Sequence, residues 1–347
     1  MKILRYLLVF VPISFIAEYT HLSQTIMFVI SALAIIPLAG LMGEATEEIS
    51  FYSGPRMGGF LNATFGNATE LIIGFFAMKA GLFEVVKASI AGSVIGNILL
   101  VLGASMLIGG LKYKTQCFNK QAIEVSSSML LFAVIGLTIP AIFTHTVVPE
   151  LLTTRYEGFT ILVAVIMFFI YLLSLYFSFY THKDLYSVDH SQESLSKWSL
   201  KKAVLILICA TVLIGIESEF FVGAVQQMTE TVGLSKFFVG IILVPIIGNA
   251  AEHSTAITMA YKNKMDVAIE IALGSSLQII LFVTPVLIIL SLIFTPMSIV
   301  FNEFELIALL FSVLIANKVA NDGESNWMEG VQLLAVYAIM ATSFFVL

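Results

Sequence analysis

Charged residues are scarce in this sequence. They make up 12% of 347 residues, whereas a soluble domain carries roughly a quarter. The hydrophobic share is 59%. This composition excludes an ordinary soluble domain. The absence of a basic stripe with interleaved aromatic residues also excludes a nucleic-acid-binding protein.

Cysteine and histidine are also few. Cys117 lies in a predicted loop and Cys209 in a predicted membrane span, so the two cysteines form neither a disulfide framework nor a metal-binding pair. An intramembrane metalloenzyme would need a histidine-rich ligand set. Of five histidines only His253 lies deep in a predicted span, and no His-Glu-x-x-His motif occurs. We therefore expect a protein that is not an enzyme and has no cofactor.

Long apolar runs fill nearly the whole chain. A membrane-spanning helix needs about 20 mostly apolar residues, whereas a transmembrane β-barrel would show short segments that alternate with polar positions. The runs are continuous, so the predicted fold class is an all-α polytopic membrane protein surrounded by lipid. Eleven spans are predicted, at 2–19, 24–46, 58–80, 85–110, 122–143, 156–181, 199–226, 235–260, 266–294, 300–318 and 326–346.

The loops between these spans predict the orientation. One alternating set of loops holds thirteen of the 17 basic residues and the other holds four. Because basic loops stay cytoplasmic, we expect a cytoplasmic N-terminus and an external C-terminus. Residues 14–18 contain no small-x-small cleavage site, so the first span is predicted to be retained and not removed as a signal peptide.

A short motif occurs twice, as Gly66-Asn67-Ala68-Thr69-Glu70 and as Gly248-Asn249-Ala250-Ala251-Glu252. The two copies lie 182 positions apart, and the same offset pairs Gly92-Ser93 with Gly274-Ser275. The chain is therefore interpreted as an N-terminal transmembrane helix, a first five-helix repeat, a cytoplasmic linker and a second, inverted five-helix repeat. Their ranges are 1–20, 24–181, 182–198 and 199–347. The polar linker is either a plain solvated connection or a regulatory segment.

An odd number of spans in each repeat turns the second copy upside down. Inverted repeats of secondary transporters place their binding site at the bilayer midplane, so Glu70 and Glu252 are expected to meet there. An ionisable residue inside a span is costly and marks a functional site. The alternative is that both glutamates are structural and form hydrogen bonds between helices.

Oxygen-bearing side chains accompany the two glutamates. Asn67 and Asn249 each precede a glutamate by three residues, a spacing that shares one helix face. The neighbouring spans add Ser93, Asn97, Ser275 and Gln278. Such ligands suit Ca²⁺, which takes six to eight oxygens. Two poorly solvated carboxylates also resist being ionised together, so the site is expected to hold either one Ca²⁺ or at least two protons.

Six other ionisable residues are each open to two interpretations. Five glutamates are candidates for an access path or are solvated at the interface: Glu44, Glu47 and Glu48 at the cytoplasmic end of the second span, and Glu217 and Glu219 within the seventh. His253 either relays protons beside Glu252 or forms a hydrogen bond to a helix carbonyl.

The two copies of the motif resemble the signature repeats of the Ca²⁺/H⁺ exchangers, the cation/proton exchanger branch of the Ca²⁺/cation antiporter superfamily. Residues 45–48 and 274–278 resemble that branch as well, and the similarity covers nearly the whole chain. It implies eleven spans, alternating access, and Glu70 and Glu252 shared by Ca²⁺ and protons. It also implies supporting roles for Asn67, Asn249, Ser93, Asn97, Ser275 and Gln278.

The predicted function is therefore a secondary antiporter that exchanges cytosolic Ca²⁺ for external H⁺. A Na⁺/Ca²⁺ exchanger of the same fold is the alternative. Such exchangers commonly carry an additional acidic residue where Gln278 and Ile279 stand here, so this chain favours protons. A passive channel with glutamate rings is a further possibility. The short N-terminus lacks the extension of plant and fungal relatives, which indicates a bacterial cell membrane; the sequence leaves a homo-oligomer open.

Overall fold

The computed structural model describes residues 4–146, 149–182, 196–319 and 322–346, and nearly all of them are helical. A 3-10 turn, Leu4–Val9, leads into the first helix. The first half contains α1 (Phe10–Tyr19), α2 (Gln24–Phe65), α3 (Ala68–Lys79), α4 (Phe83–Ile95), α5 (Leu102–Tyr113), α6 (Lys120–Thr146) and α7 (Pro149–Tyr176). The second half contains α8 (Leu200–Val232), α9 (Lys236–Phe238), α10 (Val244–Gly248), α11 (Ala250–Tyr261), α12 (Met265–Gln278), α13 (Thr284–Ser291), α14 (Glu303–Val319) and α15 (Trp327–Val346). Most of the linker predicted at 182–198 lies outside the described residues.

The prediction of an all-α membrane protein is confirmed. Among the described residues, seven helices are long and apolar enough to cross a membrane, or eight if a bent helix pair counts as one span. The predicted first and tenth spans correspond to shorter elements, Leu4–Tyr19 and the 17-residue α14. The third corresponds to the end of α2 together with α3. The count of eleven stays a prediction.

Two of the predicted spans are broken helices. α2 is kinked at Gly54, whose φ of 79° suits glycine, and it ends at Phe65, just before α3. In the second half, the chain bends by 61° between the segments Lys236–Gly248 and Ala250–Tyr261. The backbone leaves helical geometry at Asn67 (φ −103°, ψ 22°) and at Asn249 (φ −92°, ψ 6°). Each asparagine therefore precedes the helix that carries its glutamate, and does not lie within it as the spacing predicts.

The helix boundaries follow the offset found in the sequence. α3 spans residues 68–79 and α11 spans residues 250–261, so both ends differ by 182 positions. α5 and α13 begin at residues 102 and 284, again 182 apart. Short π-helical segments, Gly96–Val101 and Ile279–Val283, precede them. π-Helical turns occur frequently at functional sites.

The two halves are packed closely together. α4 contacts a third π-helical segment, Val239–Leu243, and the backbone of Ile241 lies against Gly92. Gly240 of this π-helical segment in turn lies against Val85 and Ala88 of α4. A short antiparallel pair of strands, β1 (Thr115–Cys117) and β2 (Glu324–Asn326), also joins the halves, so Cys117 lies in a strand and not in a loop.

We predict that Gly92→Ala destabilises the protein by about 1–3 kcal/mol, because the added methyl group overlaps the main chain of Ile241. Gly274 is the control, since it occupies the repeat-related position but a Cβ added there would have no described neighbour within 4 Å beyond its own helix backbone. Gly274→Ala should leave the melting temperature nearly unchanged. Thermal unfolding of both variants in detergent tests this, and equal melting temperatures would contradict the packing described.

Candidate functional site

The two glutamates of the repeated motif occupy equivalent positions. Glu70 lies in the first turn of α3 and Glu252 in the first turn of α11, each directly after a helix break. The first turn of a helix carries a partial positive charge and exposed N–H groups, which favour a nearby carboxylate. The breaks therefore bring a stabilising helix terminus to each carboxylate inside the apolar protein.

Each carboxylate lies against the glycine of the other motif. A Cβ at Gly248 would be 3.0 Å from Glu70 Oε1, and a Cβ at Gly66 would be 3.3 Å from Glu252 Oε1. A larger residue at either position would push the opposite carboxylate away. The glycines of the motif therefore provide the room in which the two copies interlock.

Amide and hydroxyl groups form a network between the broken helices and their neighbours. Asn67 Nδ2 donates to Gln278 Oε1 at 2.5 Å, and Ser275 Oγ donates to Asn67 Oδ1 at 2.9 Å. Asn97 Nδ2 donates to Ser275 Oγ at 3.1 Å. These bonds bring together four of the predicted residues: Asn67, Asn97, Ser275 and Gln278.

The second motif forms the matching contact with the first half. Asn249 Nδ2 donates to Ser93 Oγ at 3.1 Å and to the carbonyl oxygen of Pro245 at 3.0 Å. His253 is also part of the network, because its Nε2 lies 3.1 Å from Asn97 Oδ1. The contact of this ring nitrogen is therefore with a side-chain amide, and not with the helix carbonyl considered above.

Several buried oxygens of the candidate site receive no hydrogen bond from a described residue. Among the described residues, Glu70 Oε2, Glu252 Oε2 and Asn249 Oδ1 are buried without a hydrogen-bond partner. Buried polar atoms are normally satisfied, and leaving them unpaired is costly. The described chain offers no group of three or more His, Cys, Asp or Glu side chains that could hold a metal. Two carboxylates surrounded by neutral oxygens thus remain, and a bound cation or protons would satisfy them.

A small cavity lies beside Glu70. It has about 10 Å³ of free space, enough for about one water-sized species. Its polar lining comes from Glu70, Ser89, Ser93 and the backbone of Gly248, and the rest is aliphatic. Sequence reasoning missed Ser89 because its repeat-related residue is Ile271; the available signal was its position one helical turn before Ser93.

The five glutamates considered for an access path have other surroundings. Glu44 pairs with Arg5 at 2.6 Å, and Glu48 accepts hydrogen bonds from the backbone N–H groups of Lys197 and Trp198. Glu219 is exposed and pairs with Lys79 at 3.5 Å. Glu47 is exposed, and Glu217 is fully buried against Ser14. The described contacts do not bring any of the five to the Glu70 and Glu252 cluster.

We predict that Ser275→Ala destabilises the protein by about 1–3 kcal/mol, because it leaves Asn67 Oδ1 and Asn97 Nδ2 without their described partner. Ser276 is the matched control, since its hydroxyl donates only to the carbonyl oxygen of Ala272 in its own helix. Ser276→Ala should cost at most about 1 kcal/mol. Unfolding in detergent without added divalent ions measures both; a larger loss for Ser276→Ala would rule out this network.

Comparisons with known proteins agree with this architecture. The sodium/calcium exchanger protein family matches residues 23–180 and 202–346. The Ca²⁺/H⁺ antiporter of Aphanothece halophytica is 47% identical over an alignment 358 residues long, gaps included. The alignment covers 98% of this chain and 95% of that protein. The Ca²⁺/H⁺ antiporter ChaA of Bacillus subtilis is 46% identical over 343 residues, which cover 97% of each chain.

A solved structure shows the same fold. The structure of native YfkE superposes with a TM-score of 0.87 at 43% sequence identity, over 99% of this chain and 100% of that chain. The resemblance that the repeated motifs indicate is thereby confirmed. With matches on both sides of the central linker and relatives that align over nearly their whole length, this chain belongs to the sodium/calcium exchanger protein family.

Proposed function

We propose that this protein is a Ca²⁺/H⁺ antiporter, which exports cytosolic Ca²⁺ by alternating access in exchange for external protons. The observation that carries the proposal is the interlocked pair of motifs, in which Glu70 and Glu252 each approach the other motif's glycine and retain an unpartnered buried oxygen. The names of the relatives from A. halophytica and B. subtilis support the same substrate pair.

Ca²⁺ is proposed to bind between the two carboxylates, which together balance its charge. Further oxygens would come from Asn67, Asn249, Ser93, Asn97, Ser275 and Gln278. Calcium accepts six to eight oxygen ligands in flexible geometry, which the mixture of carboxylate, amide and hydroxyl groups can provide. The described bonds from Ser275 to Asn67 and from Asn249 to Ser93 hold part of this set in place.

Proton coupling follows from the cost of leaving this site charged. Two buried carboxylates without a cation repel each other and lack donors, so the site is stable when it holds either Ca²⁺ or protons. The doubly ionised empty form is costly, which opposes return of the carrier without protons. His253 is a further proton-coupling candidate, because its ring nitrogen contacts Asn97 within the network.

We also propose the membrane layout predicted from the sequence. Eleven spans would form a helix at 1–20 and two inverted five-helix repeats at 24–181 and 199–347, joined by the linker at 182–198. Support comes from the helix boundaries that recur at 182 positions. The proposed orientation in the cell membrane, with the N-terminus in the cytoplasm, rests on the distribution of basic residues.

Exchange in proteoliposomes tests the function. With an imposed pH gradient, the unmodified protein should move Ca²⁺ against the direction of proton flow. Glu70→Gln should lose at least about 100-fold in apparent Ca²⁺ affinity, since removing one partner from a buried charge arrangement costs about 3–5 kcal/mol. Glu219→Gln, a change at an exposed residue, is the control and should retain exchange. Flux near that of the parent in Glu70→Gln would contradict the assignment.

Two further arms of the same experiment separate the alternatives. A sodium gradient at clamped pH should drive little Ca²⁺ movement, whereas a Na⁺/Ca²⁺ exchanger would respond to it fully. With a Ca²⁺ gradient at clamped pH, the protein should move Ca²⁺ only at the slow rate of a carrier. A passive channel would instead equilibrate Ca²⁺ rapidly. Flux in the sodium arm equal to that in the proton arm would replace the proposed counter-ion.

A further inference from the structure

A second buried carboxyl lies outside the candidate exchange site, where α1 contacts α8. Glu217 of α8 is 0% exposed, and its Oε1 lies 2.5 Å from Ser14 Oγ of α1. Its other oxygen, Oε2, is buried and has no hydrogen-bond partner among the described residues. Neither ion pair found in the described ranges involves Glu217. As a charged group, it would be an unpaired buried carboxylate, which is strongly destabilising.

The hydrogen count at Ser14 is fully satisfied when Glu217 is protonated. Ser14 Oγ lies 2.5 Å from Glu217 Oε1 and 2.6 Å from the carbonyl oxygen of Val11. A hydroxyl group has a single hydrogen to donate, so Ser14 cannot donate to both acceptors. If Glu217 carries a proton, its O–H donates to Ser14 Oγ and Ser14 donates to Val11. Both short distances are then ordinary O–H···O hydrogen bonds.

The charged groups of the helices packed around α8 have other positions. These neighbours are α1, α2, α3 and α9. Their described ionisable side chains are engaged or exposed, or form no ion pair with Glu217: Glu18, Tyr19 and Glu47 are exposed, Glu44 and Glu48 bind Arg5 and the backbone at 197–198, Tyr52 binds Trp198, Glu70 is in the candidate exchange site, Lys79 pairs with Glu219, and Lys236 of α9 has no described ion pair. The side chain of Arg56 in α2 lies outside the described residues. Instead, aromatic pairs, Phe15 with Phe220 and Phe28 with Phe221, pack near the contact.

We propose that Glu217 is a second proton-binding site, separate from the exchange site, and that its bound proton holds α1 against α8. The Glu217–Ser14 bond is the side-chain hydrogen bond described between these two helices. Loss of the proton leaves a buried charge with a single hydroxyl donor, and Oε2 stays unpaired. Because such a buried charge is strongly destabilising, the contact between α1 and α8 then loosens as the carboxylate gains access to water. This inference does not rest on the proposed exchange activity.

Infrared spectroscopy tests the protonation directly. Protein in lipid bilayers at neutral pH with saturating Ca²⁺ should show the carbonyl band of a neutral carboxylic acid that disappears in Glu217→Gln. The band should persist in Glu219→Gln, because Glu219 is exposed and paired with Lys79. Ser14→Ala is a smaller change that keeps Glu217, and it should shift the band to higher frequency. Identical bands in the parent and Glu217→Gln, or an unshifted band in Ser14→Ala, would overturn the proposal.

Cross-linking tests whether the proton on Glu217 holds α1 against α8. Phe15 and Phe220 have ring centroids 5.8 Å apart, so the thiols of Phe15→Cys and Phe220→Cys should lie within reach of a short bifunctional thiol reagent in a Cys117→Ser, Cys209→Ser background. The rate is compared with and without Glu217→Gln at each pH, which cancels the pH dependence of the thiols. We expect equal rates at neutral pH and several-fold slower cross-linking with Glu217 at alkaline pH. If the ratio of cross-linking rates with Glu217 and with Glu217→Gln does not depend on pH, the proposed role of the proton in holding α1 against α8 is wrong.

Discussion

Two buried carboxylates that lack sufficient hydrogen-bond donors are the constraint on which the rest of the structure depends. Each of Glu70 and Glu252 keeps one buried oxygen without a described partner, and burying such an oxygen is unfavourable unless something neutralises it. The helix termini at α3 and α11 compensate in part. The remaining lack of donors makes the empty, ionised site unfavourable, and this is the proposed basis of the coupling between Ca²⁺ and protons.

The broken helices are the means by which the chain builds this site. A continuous helix would leave its backbone N–H groups bonded within itself, whereas the breaks at Asn67 and Asn249 expose helix starts inside the protein. Irregular backbone at membrane depth is tolerated where it is buried in protein or lines a cavity. Because each glutamate lies against the glycine of the other motif, neither half forms the cluster alone.

The family and the fold class could be predicted from the sequence, whereas the helix breaks and part of the candidate site could not. The repeated Gly-Asn-Ala-x-Glu motif predicts the family, and the apolar runs predict the all-α membrane fold. The helix breaks could not be predicted, because the apolar run around Asn249 reads the same whether the helix is straight or bent by 61°. The surroundings of Glu217 and Glu219 differ sharply, although they are two residues apart, because a run that is apolar all round does not show which face is buried. Ser89 was missed because its repeat-related position is Ile271.

The most direct test of the central claim is the number of protons released when Ca²⁺ binds to the purified protein in weakly buffered solution. Metal ligands must be deprotonated to bind, so the account predicts release of about two protons per Ca²⁺ from Glu70 and Glu252. Glu217 should contribute none, because the proton proposed for it lies outside the candidate exchange site. The release should disappear together with Ca²⁺ binding in the Glu70→Gln, Glu252→Gln double variant. Stoichiometric Ca²⁺ binding without proton release, at a pH where exchange is active, would contradict the account.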